Sequence, residues 1–279
     1  MAASESSGSS GAGSSSSSSG DTEGCVPTED VEATCDNLDN DCNGYVDDID
    51  VGGDGICDCL SIGILGATGY APTSNFEAWL TANGTSVTRT LLQNQPGVVT
   101  DELLADYDLV IIDRVERGLD DAEAQAIEDF VKVDGHGLVT LIGYNFDNNN
   151  PVPEVDRANT VVAPFGLAYQ GGYLHDDFGV TPTFDQGHPI GMGLLDVNYI
   201  GGVAPADLED QGTSAIFATV PMGDAGIAHE TASGGRVVMW GDEWVTFDSD
   251  WVGFADVELF WTNVLAWARP QEFCALPPS

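Results

Sequence analysis

Apolar runs alternate with helical patterns from Leu60 onwards, and this rhythm predicts an α/β domain. Four strands are predicted by the apolar runs at residues 60–66, 86–92, 108–113 and 137–143. Helices are predicted between them by apolar residues at helical spacing, at residues 75–83, around 103–104 and at 120–134. Such alternation is typical of a parallel sheet wound by right-handed crossovers. We therefore expect a parallel sheet with helices on both faces.

The pattern loosens after the fourth predicted strand. Residues 151–202 are rich in Gly, Pro, Asn and Asp, and we expect them to form an irregular insert around the carboxyl edge of the sheet. Three more strands are predicted at residues 214–220, 225–229 and 235–241, and a last helix at 254–268. That helix carries Phe260, Val264 and Trp267 on one side, which predicts that it packs back on the sheet.

The charge of the chain is strongly one-sided. The 279 residues contain 46 Asp and Glu against 7 Lys and Arg, a formal net charge of −39, and Lys132 is the only lysine. Such a surface repels phosphate backbones and anionic lipid, so we expect no nucleic-acid partner. It attracts cations, although acidity could also serve only to keep an exported protein soluble. No apolar run is long enough to predict a transmembrane segment.

Five of the six cysteines lie between Cys25 and Cys59, in an acidic stretch. An even number of crowded cysteines predicts disulfides and an oxidising compartment. Zinc is the alternative, but the spacings from Cys35 to Cys42 and from Cys57 to Cys59 do not match the paired ligands of structural zinc sites. The local excess of hard oxygen ligands also favours calcium.

The acidic stretch contains the register of a twelve-position calcium loop. Its predicted ligands are Asp39, Asp41, Asn43, the Tyr45 carbonyl, Asp47 and Asp50, at positions 1, 3, 5, 7, 9 and 12. Gly44 occupies position 6, where the loop turns too sharply for a side chain. Asp48 is an alternative ligand to Asp50, since position 12 is usually a longer Glu. The competing interpretation is a disordered acidic linker.

The pattern from Cys35 to Asp47 resembles a cysteine- and aspartate-rich metal-binding motif of secreted bacterial proteins. The resemblance covers about forty residues and implies an extracellular, cation-binding module. It implies nothing about catalysis. We expect calcium as the cofactor and a divalent cation as a partner.

The six cysteines allow several pairings. A Cys35–Cys42 disulfide is our first expectation, because it would close a short loop around the ligands. Cys274 is then expected to pair with Cys57 or Cys59, and Cys25 with the other, which would fasten the C-terminus to the start of the α/β domain.

The expected organisation has four parts. Residues 1–20, almost all Ser, Gly and Ala, form a disordered tether, and residues 21–59 form the acidic module. Residues 60–270 form the α/β domain, and residues 271–279 form a tail held by Cys274. No signal peptide is visible, so we expect an export signal, and any lipidated cysteine ahead of the tether, to lie outside this sequence. The expected location is extracellular or on the outer cell surface.

The α/β stretch resembles the class I glutamine-amidotransferase-like superfamily, whose sheet is flavodoxin-like. The matching segments are residues 66–69, 137–143, 166–169, 236–243 and 260–263. In active members of that superfamily a cysteine follows the fourth strand. Here that elbow reads Gly143-Tyr144-Asn145-Phe146, and no cysteine lies between residues 60 and 273. The resemblance therefore implies the fold without the thiol chemistry, and no G-x-S-x-G serine replaces it.

Polar residues are expected beyond the carboxyl ends of the strands, where open parallel sheets bind ligands. The candidates for acid/base chemistry are Asp113, Tyr144, His188, Asp242 and Glu243. The competing interpretation is structural: an Asp113–Arg114 ion pair, and capping of a turn by Asp242 and Glu243. Two functions follow as hypotheses. The first is a non-catalytic surface protein that binds a protein or carbohydrate partner, and the second is a carboxylate-dependent hydrolase of a carbohydrate-like substrate.

Overall fold

A computed structural model of the protein describes residues 25–69, 71–93, 95–143, 150–174, 179–209, 212–271, 273–274 and 276. Ten strands occur in it: β1 (Ser61–Gly66), β2 (Ser86–Thr90), β3 (Leu109–Arg114), β4 (Gly137–Leu141), β5 (Leu167–Tyr173), β6 (Thr183–Phe184), β7 (Val203–Asp207), β8 (Thr213–Val220), β9 (Gly223–Glu230) and β10 (Arg236–Trp240). Six α-helices accompany them: α1 (Ser74–Ala82), α2 (Asp101–Leu104), α3 (Asp121–Lys132), α4 (Val152–Val162), α5 (Asp248–Gly253) and α6 (Val257–Ala268).

The main sheet has eight strands in the order β2-β1-β3-β4-β10-β9-β8-β6. The first five are parallel, which confirms the predicted α/β fold with a largely parallel sheet. The remaining three are antiparallel, so the sheet is mixed rather than wholly parallel. β5 and β7 form a separate antiparallel pair. The antiparallel part arises because β8, β9 and β10 are joined by short turns, which leave no room for a crossover helix.

Both faces of the sheet are covered. Alternate residues of β3 belong to different core clusters: Leu109 and Ile111 pack with α1 and α6 residues, whereas Val110 and Ile112 pack with α3 residues. This alternation is the period of two that a strand imposes on its side chains. Because both sets are apolar, the strand reads as a continuous hydrophobic run in the sequence.

The helix α3 illustrates how sequence signals fix one element. Its N-cap, Asp120, accepts hydrogen bonds from the amides of Ala122 and Glu123, and the Glu123 side chain accepts one from the Asp120 amide. This reciprocal capping box satisfies amides that the first helical turn leaves unpaired. The observed helix ends at Lys132, two residues before the predicted end.

The expectation of an irregular insert at residues 151–202 was wrong in part. Helix α4 has Pro151 at its N-cap and Pro153 in its first turn, and it is followed by a 3₁₀ turn, Ala163–Phe165, and strand β5. Proline is well tolerated in a first helical turn because the amide it lacks would have no helical partner there. The composition of the segment had favoured a loop for the same residues that start a helix.

Candidate functional site

The acidic module contains the predicted loop in a defined backbone conformation. The Asp39 carboxylate accepts hydrogen bonds from the amides of Asn43 (3.0 Å) and Gly44 (2.9 Å). The Asn43 side-chain oxygen accepts one from the Tyr45 amide at 2.8 Å. Gly44 has a φ of +94°, which glycine adopts far more readily than other residues. The turn at position 6 is therefore formed as the loop register requires.

Three carboxylates come together at this loop. One oxygen each of Glu32, Asp39 and Asp41 lies within 4.8 Å of the others. Asn43 is adjacent, because its side-chain amide donates to Asp41 at 3.2 Å and to Asp48 at 2.9 Å. Glu32 was not among the predicted ligands: it lies before the loop, and no spacing rule connects it to the motif.

The other two predicted carboxylate ligands, Asp47 and Asp50, accept hydrogen bonds from backbone amides. Asp47 is buried, and its carboxylate accepts the amides of Asp36 at 3.0 Å and Asn37 at 2.9 Å. Asp50 accepts the amides of Asp54 and Gly55, both at 3.0 Å.

Residues 50–56 repeat the hydrogen-bond pattern of the first loop. Asp50 takes the place of Asp39, and the Ile56 amide donates to Asp54 as the Tyr45 amide donates to Asn43. Gly55, with φ +84°, corresponds to Gly44.

The disulfide pairing differs from our first expectation. The pairs are Cys25–Cys42, Cys35–Cys59 and Cys57–Cys274, so the expected Cys35–Cys42 bond does not form. Cys25 pairs across the loop instead of with Cys57 or Cys59. The expected disulfide between Cys274 and either Cys57 or Cys59 is confirmed, and its partner is Cys57. Val46 and Phe273 form a parallel β-bridge, in which the Cys274 amide donates a hydrogen bond to the Val46 carbonyl at 2.9 Å. The C-terminal segment thus packs against the acidic module.

At the carboxyl edge of the sheet, Asp113 is part of an ion-pair network. Its carboxylate lies 2.8 Å from the Arg89 guanidinium, which also contacts Glu77 at 2.7 Å. Burial raises the pKa of Asp113 to about 6, although Arg89 opposes this shift. The expected ion pair with Arg114 does not form. Arg114 lies 3.8 Å from Glu154, because neighbouring side chains on a strand point to opposite faces.

Buried carboxylates follow the end of β10. Asp242 is 2% exposed and accepts the amides of Ile200 at 2.9 Å and Trp244 at 3.3 Å. Burial raises its pKa well above the usual range, and the nearby charges of Glu243 and Asp250 add to that effect. Burial likewise raises the pKa of Asp250 to about 7, partly opposed by hydrogen bonds from Asn198 and Ser249.

Glu243 lies between two glycine-containing loops. A Cβ placed on Gly69 would be 2.4 Å from its Oε2, and a Cβ placed on Gly143 would be 2.8 Å from the same atom. The Glu243 carboxylate thus occupies the space beside the elbow after β4. A side chain at either glycine would therefore collide with the Glu243 carboxylate in its observed position.

The remaining candidates do not join this group. His188 packs between the rings of Phe217 and Trp267, at 6.0 and 5.8 Å. The Trp267 carbonyl accepts a hydrogen bond from Arg236, which is the first residue of β10. His188 therefore lies towards the amino edge of the sheet, whereas Asp242 follows the carboxyl end of β10. Burial lowers the pKa of His188, with Asp185 opposing. Tyr144 lies outside the described residues.

The geometry defines a protein of the flavodoxin-like α/β class with a disulfide-tied acidic module. Among solved structures, the mmIFT52 N-terminal domain matches with a TM-score of 0.56 and 12% identity, over 72% of this chain and 96% of that domain. This similarity shows a shared fold.

Glutamine amidotransferase-like structures are also among the matches. A glutamine amidotransferase from Thermotoga maritima gives a TM-score of 0.44 at 12% identity, over 76% of this chain and 91% of that one. PurLQS from Thermotoga maritima gives 0.42 at 12% identity, over 74% and 97%. No protein-family model and no curated protein matches the chain.

Within the part of the chain that the structure describes, no helix has both the length and the apolar character needed to cross a membrane.

Proposed function

We propose that this is a non-catalytic, exported surface protein. A structural calcium ion stabilises the acidic module and its junction with the α/β domain, and the α/β domain binds an interaction partner. The observation that carries the proposal is the convergence of Glu32, Asp39 and Asp41 within 4.8 Å. Such a group of carboxylates repels itself unless a cation or protons neutralise it. Calcium fits this need because it prefers several oxygen ligands in a flexible arrangement.

The donor chemistry of the module favours calcium over zinc. All six cysteines are in disulfides, so none offers a thiolate. Carboxylate oxygens and the Asn43 amide remain, and these are hard ligands of the kind that calcium takes. Glu32, Asp39, Asp41 and Asn43 would hold the ion, whose role there is structural.

Three disulfides support the exported location, because such bonds persist in oxidising compartments and are rare in reducing ones. The Cys57–Cys274 bond joins the module to the end of the α/β domain. Ion binding in the module would therefore also stabilise the junction at which the chain enters and leaves that domain.

The carboxyl edge of the sheet favours a non-catalytic role for the α/β domain. Asp113, Asp242 and Glu243 are each at most 2% exposed. Asp113 forms an ion pair with Arg89, and Asp242 accepts hydrogen bonds from two backbone amides. Both carboxylates therefore make structural contacts among the described residues. No cysteine occurs in the domain between residues 60 and 273 to act as the amidotransferase nucleophile.

Calorimetric titration of calcium into chelator-treated full chain tests the proposal. We expect saturable binding and a raised melting temperature in the wild type, both lost in the Asp39→Ala/Asp41→Ala variant. The matched control is Asp101→Ala/Asp134→Ala, which removes two exposed acids from the α/β domain. Equal binding by both variants, or no saturable binding by the wild type, would contradict a calcium role for the loop.

A further inference from the structure

Four large apolar side chains are exposed on one side of the α/β domain. Met192 is 57% exposed, Leu195 76%, Val252 83% and Leu259 38%. Met192 and Leu195 belong to the loop before β7, whereas Val252 lies in α5 and Leu259 in α6. We call these four residues the apolar face. Single exposed apolar side chains are ordinary, but a contiguous group of them marks an interaction site.

Contacts between the loop and α6 make the apolar face contiguous. A Cβ placed on Gly193 would lie 3.3 Å from Leu259, so the loop packs against the helix. The amides of Leu195 and Asp196 both donate hydrogen bonds to Asp256, the N-cap residue of α6, at 2.7 and 2.8 Å. The loop is therefore fixed at the start of the helix, and its side chains share one surface with Leu259.

A cavity of about 350 Å³ continues the apolar face towards α5. Its lining includes Trp251, Val252 and Phe254, together with the exposed acidic residues Asp196 and Glu258. Trp251 and Phe254 are half-buried, so each keeps part of its ring at the surface. The cavity thus connects Val252 with the loop and with α6, and it forms a recess beside the exposed apolar side chains.

The charges around the apolar face have one sign. Residues 192–196 contain one Asp, residues 248–263 contain three Asp and one Glu, and neither segment contains Lys or Arg. A second copy of this chain would bring its own formal charge of −39 to this acidic rim and be repelled, as would nucleic acid or anionic lipid. The exposed side chains of the face are aliphatic or thioether groups, which offer a sugar no hydrogen bonds. Charge and chemistry together favour a protein partner that carries apolar and basic side chains.

We propose that the apolar face binds a segment of a partner protein that carries both apolar and basic side chains. Its apolar side chains cover the face, and its Lys or Arg side chains pair with Asp196 and Glu258 at the rim. The inference rests on the interaction role proposed above and names the surface and the chemistry of the partner. The acidic rim accelerates encounter with the basic segment, whereas burial of the apolar side chains holds the complex together.

The test uses the full disulfide-bonded chain and a synthetic amphipathic peptide of about 18 residues, with Leu on one helical face and Lys on the other. We expect Leu195→Ser/Leu259→Ser to weaken binding of this peptide at least about tenfold, because two apolar contacts are lost. The matched control is Leu208→Ser/Met222→Ser, since Leu208 and Met222 are also well exposed but lie outside the face. We expect the control to change the affinity by less than about threefold. A peptide with Ser in place of every Leu should bind wild type and both variants equally weakly.

A second pair of variants tests the acidic rim. Asp196→Asn/Glu258→Gln should weaken binding of the Leu/Lys peptide about threefold or more at low salt, and the difference should shrink at high salt. The control Asp101→Asn/Glu102→Gln removes the same charge from exposed positions of α2, away from the face. Equal effects of the two pairs would overturn the role of the rim.

The outcomes separate this inference from the proposed function. Unchanged peptide affinity in Leu195→Ser/Leu259→Ser would overturn the apolar face as the docking site, and a loss in Leu208→Ser/Met222→Ser instead would place the interaction elsewhere on the domain. Absence of saturable peptide binding by the wild type, or binding of cellohexaose that Leu195→Ser/Leu259→Ser loses, would overturn a basic protein partner. Calcium titration of the same samples tests the loop site independently. Equal melting temperatures would show that the variants retain the fold.

Discussion

Cys57 in the acidic module is joined to Cys274 near the C-terminus, 217 residues further along the chain. The bond closes a loop that contains the entire α/β domain. On the chain-entropy argument, a cross-link over so long a loop restricts the unfolded chain and stabilises the fold by about 3–5 kcal/mol. It also anchors a module whose described residues, 25–59, contain almost no regular secondary structure.

The first prediction concerns this cross-link. Replacing both cysteines, Cys57→Ser/Cys274→Ser, should lower the melting temperature of the α/β domain by about 6–20 °C, since a domain of this size loses about 2–4 °C per kcal/mol. Calorimetric melts check it, and replacing both partners avoids a stray thiol. A melting temperature equal to that of the wild type would mean that the cross-link adds no stability.

The second prediction concerns the turn at Gly44. Gly44→Ala places a side chain at φ +94°, where a Cβ meets no neighbour but is disfavoured by its own backbone. The conformational cost is about 1–2 kcal/mol, so we expect calcium affinity to fall about tenfold. Calcium titration measures it.

Gly172→Ala is the control for Gly44→Ala, because Gly172 also faces open space but has no positive φ. Equal affinities for Gly44→Ala and the control would show that the turn is not needed in the bound loop.

The third prediction uses the buried Asp250. Burial raises its folded pKa from the ordinary 3.8 to about 7. The folded state therefore holds a proton that the unfolded chain releases, and the free energy of unfolding falls as pH rises from about 4 through about 7. Asp250→Asn removes this penalty, so it should stabilise the protein at pH 8 by about 1–3 kcal/mol relative to its effect at pH 4.

Urea unfolding of Asp250→Asn and wild type at several pH values measures this difference. Glu258→Gln is the control, because Glu258 is an exposed acid in the neighbouring helix α6. A variant whose stability relative to wild type is the same at pH 4 and pH 8 would contradict the raised pKa of Asp250.

The fourth prediction tests the network at the end of β3. Arg89→Met leaves the buried Asp113 carboxylate without its cation, so we expect a loss of about 3–5 kcal/mol in the free energy of unfolding. The loss should be larger at pH 8 than at pH 5, because the pKa of Asp113 is about 6 with Arg89 present and rises further without it. Denaturant unfolding at both pH values measures it.

The double variant Arg89→Met/Asp113→Asn should lose less than Arg89→Met, because it leaves no buried charge. Lys132→Met breaks a more exposed pair with Glu128 and should cost only about 1 kcal/mol or less. Similar losses for Lys132→Met and Arg89→Met would rule out a special role for the buried pair.

The sequence by itself determined the parallel half of the fold. Strands β1, β3 and β4 are mostly apolar because both of their faces are buried, and α3 carries its own start signal in Asp120 and Glu123. The turn at Gly44 was also readable, since its glycine and the acidic residues around it are local features of the chain. These features depend on near neighbours, which is why sequence patterns record them.

Only the tertiary structure decided which distant groups meet. The pairing of Cys25 with Cys42, the contact of Arg89 with Asp113 and the approach of Glu32 to Asp39 each join segments that sequence spacing does not relate. The physical reason is that packing brings these groups together after local preferences are satisfied, so their partners are set by the fold as a whole.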